Sequence, residues 1–215
     1  MSLTTMLATM GLGMLRSCLI FFLTLLIALP LGMGVMFLRR SSIRLVQNIT
    51  KIYIAIMRGT PLMLQLLMWY FGPYYLFGLS IRGYRLPAII IGFSVNYSAY
   101  FAEIYRGGIE SIDQGQYEAA EILGYSKTQT FFKIILPQVV KVILPSVTNE
   151  VITLVKDTSL AFTLAYNEMF SLAKQIAASQ TSFTPFIIAG VFYFAANYVV
   201  AFVMERIEKA LDYYH

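Results

Sequence analysis

"YEAAEILGYSKTQTFFKIILPQ", residues 117–138, reads as an acidic, alanine-rich helix former, a glycine, and then an apolar run broken by proline. It lies inside a chain of 215 residues that is 58% hydrophobic and 13% charged, where an ordinary soluble domain is about a quarter charged. Uncharged runs of bilayer length, roughly 17 to 25 residues, occur at 17–38, 59–81, 86–102 and 175–204. A fifth run, 134–155, is apolar but carries Lys141 and Glu150. The expected fold is therefore all-α and integral to a membrane, a single domain over 1–215 with five spans. The quoted stretch falls in a loop, about 106–133, between spans three and four.

The first basic residue is Arg16 and the apolar run behind it is of full length, unlike a cleaved leader, so the first span is expected to stay. Cys18 is the single cysteine and reads as a small apolar filler, with no disulfide or cysteine metal site. The lone histidine, His215, reads as part of a frayed end.

Five spans put the termini on opposite sides, and the Lys and Arg bias chooses between the two orientations. With the N-terminus outside, the inner side holds Arg39, Arg40, Arg44, Lys51, Arg106, Lys127, Lys133, Lys141, Arg206 and Lys209. The outer side holds Arg16, Arg82, Arg85, Lys156 and Lys174, with Arg58 at membrane depth. Ten against five predicts the N-terminus outside and the C-terminus in the cytoplasm. The net charge of +5 is then a topology signal, because the cations flank spans and form no patch suited to nucleic acid.

In this orientation the quoted stretch is cytoplasmic. Asp113 with Gln116 fits a capping box that starts a helix through "QGQYEAAEIL", and Gly124 is placed to stop it. Ser126 with Gln129 repeats the box and starts the helix that enters the membrane as "TFFKIILPQ". Pro137 and Pro145 then each remove a backbone bond from the fourth span, which is expected to be kinked and buried among its neighbours.

Ser146, Asn149, Glu150, Thr153 and Asp157 recur on one face of that span. Ionisable groups at this depth line a water-filled path or a bundle interior, whereas Ser146 and Thr153 also suit interhelical hydrogen bonding. The third span offers Ser94, Asn96, Ser98, Tyr100 and Glu103; the second offers Arg58, "GTP" at 59–61 and Gln65. Arg58 has three readings: a bidentate grip on a substrate carboxylate, a side chain reaching back to the interface, or a donor to carbonyls freed by Pro61. The aromatic run "MWYFGPYYLF", 68–77, suits an outer interface. There is no G-x-x-x-x-G-K-[ST] phosphate loop, no metal-ligand cluster and no nucleophile and base pair, so catalysis is not expected. A channel, an ion-coupled carrier and the membrane half of a partner-driven pump all remain open on these residues.

The loop itself separates them. Glu118, Ala119 and Ala120, then Gly124, then Ile135, Leu136 and Pro137 closely resemble the EAA loop of ATP-binding-cassette importer permeases. "MRGTPLMLQLLMWYFG" (57–72) and "LPSVTNEVITLVKDTSLAF" (144–162) resemble the polar amino acid permeases, which serve histidine, glutamine, arginine, cystine and their relatives. Glu121 departs from the pattern, standing where many relatives have a small or neutral residue. The resemblance covers roughly residues 15–210 and implies the five-span fold of the small importer permeases in a bacterial inner membrane. It also implies a second permease subunit, identical or related, two ATP-binding subunits that hold ATP and magnesium, and an extracytoplasmic solute-binding protein. Within that family the loop is a coupling helix, so Glu118, Ala119, Ala120, Glu121 and Gly124 are the expected ATPase contacts. Asn149, Glu150, Asp157, Asn96, Ser98, Arg58 and Gln65 are the candidate residues of the amino acid path. Methionine, a peptide or another small polar solute is the alternative cargo, because the coupling loop is shared across substrate classes.

Overall fold

The computed structural model describes residues 2–211, so His215 lies outside the described residues. All regular structure among them is helical. Helix α1 (Leu3–Arg39) starts at a Ser2 side chain that accepts the Thr5 N–H, and its length is roughly 55 Å at 1.5 Å per residue. Helices α2 (Arg44–Gly59) and α3 (Leu62–Phe77) meet at a bend of 111°. Helix α4 (Arg85–Glu110) is followed by the short α5 (Gln114–Ile122). The one-turn α6 (Lys127–Thr130) passes through a π-helical turn, Phe131–Ile135, into α7 (Leu136–Asp157) and a 3₁₀ segment, Thr158–Leu164. Helices α8 (Met169–Gln180) and α9 (Thr184–Leu211) complete the described chain.

By length and composition, Leu3–Arg39, Lys127–Leu164 and Thr184–Leu211 can each cross a membrane, and α2 and α3 reach the length of a fourth span only when the bent pair is counted together. Helix α4 is long enough at 26 residues, but Ser94, Asn96 and Ser98 dilute its apolar character and are buried inside the bundle. Outward-facing residues of α9, such as Phe194 and Tyr198, are exposed, as expected where the surrounding solvent is lipid.

Three sequence expectations change. The run 175–204 is not one span: α8 ends at Gln180, Thr181 adopts a left-handed φ of 47°, and α9 starts afresh at Thr184. Its lack of charge concealed the turn, whose Thr, Ser and Phe residues look apolar or neutral. The run 59–81 contains only α3, and the preceding α2 is a separate amphipathic helix that charge counting missed. At Asp113 the box is half formed: Asp113 Oδ1 accepts from the Gly115 N–H at 2.6 Å, while Gln116 Oε1 instead accepts from Gln138 Nε2 at 3.3 Å. The second box is complete, with Ser126 Oγ and Gln129 Oε1 each accepting the other residue's N–H.

The π turn explains how the chain absorbs Pro137. The Leu136 N–H bonds to Phe131 O, five residues back, widening the helix just before the residue that has no N–H to give. Pro145 is carried within a continuous α7.

The central core joins α1, α3, α4 and α7 through Ile20, Leu66, Phe93, Phe101, Val151 and Leu154. Close packing, not escape from water, holds such helices together in lipid, and small residues permit it. A Cβ at Gly32 would stand 2.8 Å from Phe101 Cβ and 3.1 Å from Ser98 O, so α1 approaches α4 as closely as it does because Gly32 has none. A second core seats Met6 and Met10 of α1 against Met169, Ala173 and Ile176 of α8, with Ala189 of α9.

Candidate functional site

The site is organised by the break between α2 and α3. Pro61 has no N–H, so Met57 O, four residues earlier, loses the partner that a continuous helix would provide. Asn96 Nδ2 donates to that carbonyl at 2.8 Å and Gln65 Nε2 at 3.1 Å. Gln65 Nε2 also reaches Thr60 O and Thr60 Oγ1, and Gln65 Oε1 accepts from Asn96 Nδ2 at 3.0 Å. The two buried amides thus repair the broken backbone, and their donors are committed there. Arg58 does not take this work: its guanidinium lies 5.3 Å from the centre of the Tyr100 ring, in cation–π range.

Beside the break is a cavity of about 210 Å³ lined by Thr60, Leu62, Asn96, Tyr97, Tyr100, Glu150, Thr153 and Asp157. The fourth-span stripe therefore divides. Glu150, Thr153 and Asp157 face this space, whereas Ser146 and Asn149 are exposed on the outside of the chain. The Tyr97 hydroxyl donates to Asp157 Oδ2 at 2.7 Å. Arg58 is the cation whose field reaches Glu150, and Asp157 is the neighbouring anion. Ser98 is buried away from the cavity lining and bonds to the Tyr53 hydroxyl at 2.7 Å and to Val95 O at 2.8 Å. Glu103 is held by Arg106 at 2.7 Å and approaches Arg39 at 4.0 Å.

Helix α5 lies between the two helices that wall the cavity, α4 before it and α7 after it. It ends in a Schellman motif, with the Gly124 N–H on Glu121 O at 2.9 Å and the Tyr125 N–H on Ala120 O at 3.0 Å. Gly124 takes φ of 77°, a left-handed conformation that glycine adopts without a Cβ penalty. Glu118, Ala119 and Glu121 are exposed, while Ala120 is buried against its own chain. Ile122 is 87% exposed and Leu123 72% exposed.

Two features escaped the sequence reading. Tyr97, next to Asn96, is not singled out by the sequence, yet its hydroxyl is what meets Asp157. Glu168, in a connector with no periodicity, is fully buried and caps α8 by accepting from the Phe170 and Ser171 N–H groups, both at 2.7 Å. It also accepts from the Tyr193 hydroxyl at 3.1 Å and Ser17 Oγ at 3.3 Å. Burial pushes its carboxyl above the usual carboxylate range, and those four hydrogen bonds oppose the shift. The available signal was an acidic residue just before the apolar helix "MFSLAKQIAAS", where a carboxylate suits the unpaired N–H groups of a helix start. Among the described residues, no group of three or more His, Cys, Asp or Glu side chains is placed to hold a metal.

Membrane-length helices around a small polar cavity, with a capped helix linking two of its walls, define a transport component of the membrane. Comparison with known proteins places it further. Residues 27–213 match the family described as the binding-protein-dependent transport system inner membrane component. The arginine transport system permease ArtQ of Bacillus subtilis is 35% identical over 187 residues, 86% of this chain and 84% of ArtQ. The L-cystine transport system permease TcyB of the same organism is 35% identical over 179 residues, 82% of this chain and 75% of TcyB. A solved structure described as an amino acid ABC transporter with histidines superposes with a TM-score of 0.86 at 30% identity, covering 94% of each chain. The chain belongs to the binding-protein-dependent transport system inner membrane component family.

Proposed function

We propose that this chain is the membrane-spanning subunit of an ATP-driven amino acid importer in a bacterial inner membrane. It crosses five times, through α1, α3, α4, α6 with α7, and α9, with its N-terminus outside and its C-terminus in the cytoplasm. A second permease subunit completes the path, a solute-binding protein delivers cargo from outside, and two ATP-binding subunits supply hydrolysis. The observation that carries this reading is the position of α5: a rod capped at both ends, joined by Gln116 to Gln138, between the two helices that wall the polar cavity. Through Glu118, Ala119, Glu121 and the turn at Gly124 it engages an ATP-binding subunit, and Ala120 anchors it to its own chain. A rigid displacement of α5 then moves α7 and reshapes the cavity.

Within the cavity, Glu150 and Asp157 accept the ammonium or a cationic side chain of the amino acid, and Arg58, over the lining residue Tyr100, meets its carboxylate at the cavity's edge. Asn96 and Gln65 hold the break open as structural amides, Ser98 fixes Tyr53, and Asn149 faces outward from this chain toward the second permease. Two carboxylates against one guanidinium favour polar amino acids of cationic character. The test is uptake into vesicles carrying the assembled transporter. Glu150→Gln is expected to reduce substrate-stimulated ATPase at least tenfold while leaving assembly intact, about 1.4 kcal/mol of lost interaction. Unchanged stimulation would overturn the cavity assignment. Uptake that persists without ATP under an ion gradient would overturn the importer reading.

A further inference from the structure

We propose that α2 is a docking surface for anionic phospholipid in the leaflet where α1 ends. The helix carries three distinct faces. Thr50, Tyr53, Ile54 and Met57 pack toward the bundle, with Ile54 seated among Val35, Met36, Ala99 and Ala102. About 120° around the helix at 100° per residue, Leu45, Ile49, Ile52 and Ile56 form a second, narrow stripe at i, i+4, i+7 and i+11. These four are 50% to 69% exposed. A third face carries Arg44 and Lys51 two turns apart, with Arg40 just upstream; all three are exposed.

The occupant follows from this chemistry. Arg39 is already near Glu103, but Arg40, Arg44 and Lys51 have no carboxylate partner among the described residues. The apolar stripe is made of Leu and Ile, where close packing of two membrane helices calls for small residues. The 111° bend lays α2 across α3 instead of along it. A helix with an aliphatic stripe beside a cationic edge, set across a bundle, is the form that rests in a bilayer interface. Its side chains enter the acyl region and its cations meet anionic headgroups at a level where each contributes appreciably to membrane attraction.

The test uses the full chain with Cys18→Ala and a single cysteine at Ile52→Cys or Asn48→Cys, each carrying a fluorophore. The chain is reconstituted in nanodiscs of phosphatidylcholine with or without phosphatidylglycerol. Residue 52 is expected to be quenched by doxyl-labelled lipid and residue 48 by aqueous iodide. Quenching of residue 52 by iodide alone, or by neither agent because a second copy of the chain covers it, would overturn the proposal. In a mixture of the two lipids, phosphatidylglycerol retained by the purified chain is read by mass spectrometry. Arg40→Gln with Lys51→Gln is expected to lower its enrichment roughly tenfold or more, whereas Arg40→Lys with Lys51→Arg keeps it. Equal enrichment in the neutralised and native chains overturns the headgroup assignment, as does an equal loss in the charge-preserving variant, which would mark a folding defect.

Discussion

Glu168 shows how much one side chain can organise where helices meet. Its carboxylate is shared by the first turn of α8, Ser17 of α1 and Tyr193 of α9, so three helices meet at two oxygens. Removing it strands two backbone N–H groups and two hydroxyls in a buried setting, and each stranded donor costs on the order of 1 to 3 kcal/mol unless water enters. Glu168→Ala is expected to lower the stability of the detergent-solubilised chain by at least about 2 kcal/mol, read as an earlier thermal unfolding transition. Glu168→Gln keeps one carbonyl acceptor and should recover part of that loss. A transition unchanged in Glu168→Ala would mean that water already serves these donors.

The elements show where sequence reasoning succeeded and where it failed. Signals confined to a few adjacent residues were mostly legible: Ser126 with Gln129 forms its capping box and Gly124 takes the left-handed turn, although Gln116 leaves Asp113 for Gln138. Polar residues at helical spacing were half legible. Periodicity placed Glu150, Thr153 and Asp157 on one face, but only neighbouring helices determine that Asn149, one residue before Glu150, points away from their cavity. Long-range partnerships were not legible at all. Gln65 and Asn96 read as path-lining amides, and Asn96 does border the cavity, but Pro61 leaves an orphan carbonyl at Met57 and both amides donate to it. That pairing makes a quantitative expectation. Gln65→Leu and Asn96→Leu each leave the break under-bonded and should destabilise the chain by about 1 to 3 kcal/mol. Because both amides serve Met57 O and bond to each other, the double variant should lose less than the sum, with an interaction energy of about 0.5 kcal/mol or more in a double-mutant cycle. Simple additivity would show that the two amides act independently.

At the scale of the whole molecule, two kinds of exposed apolar surface must be distinguished. The outward faces of α1 and α9 are apolar over a membrane's length, so lipid is a sufficient solvent for them. Helix α5 is different, because it carries Glu118 and Glu121 beside Ile122 and Leu123, and such charge does not settle in hydrocarbon. Two large apolar side chains standing 87% and 72% exposed on a water-facing helix are the mark of a protein interface. Their own chain gains little from them, so Ile122→Ser with Leu123→Ser should leave membrane insertion and the thermal transition within about 0.5 kcal/mol of the native chain. The same pair of changes should sharply reduce co-purification of an ATP-binding subunit and, with it, ATP-dependent uptake in vesicles, since truncating buried apolar anchors removes about 2 kcal/mol or more each from an interface. Native recovery of the ATP-binding subunit would place the drive elsewhere on the chain; loss of recovery together with loss of insertion would show instead that these residues serve the fold. Only lost recovery with a normal transition identifies residues 117–138 as the point where an external motor moves the cavity.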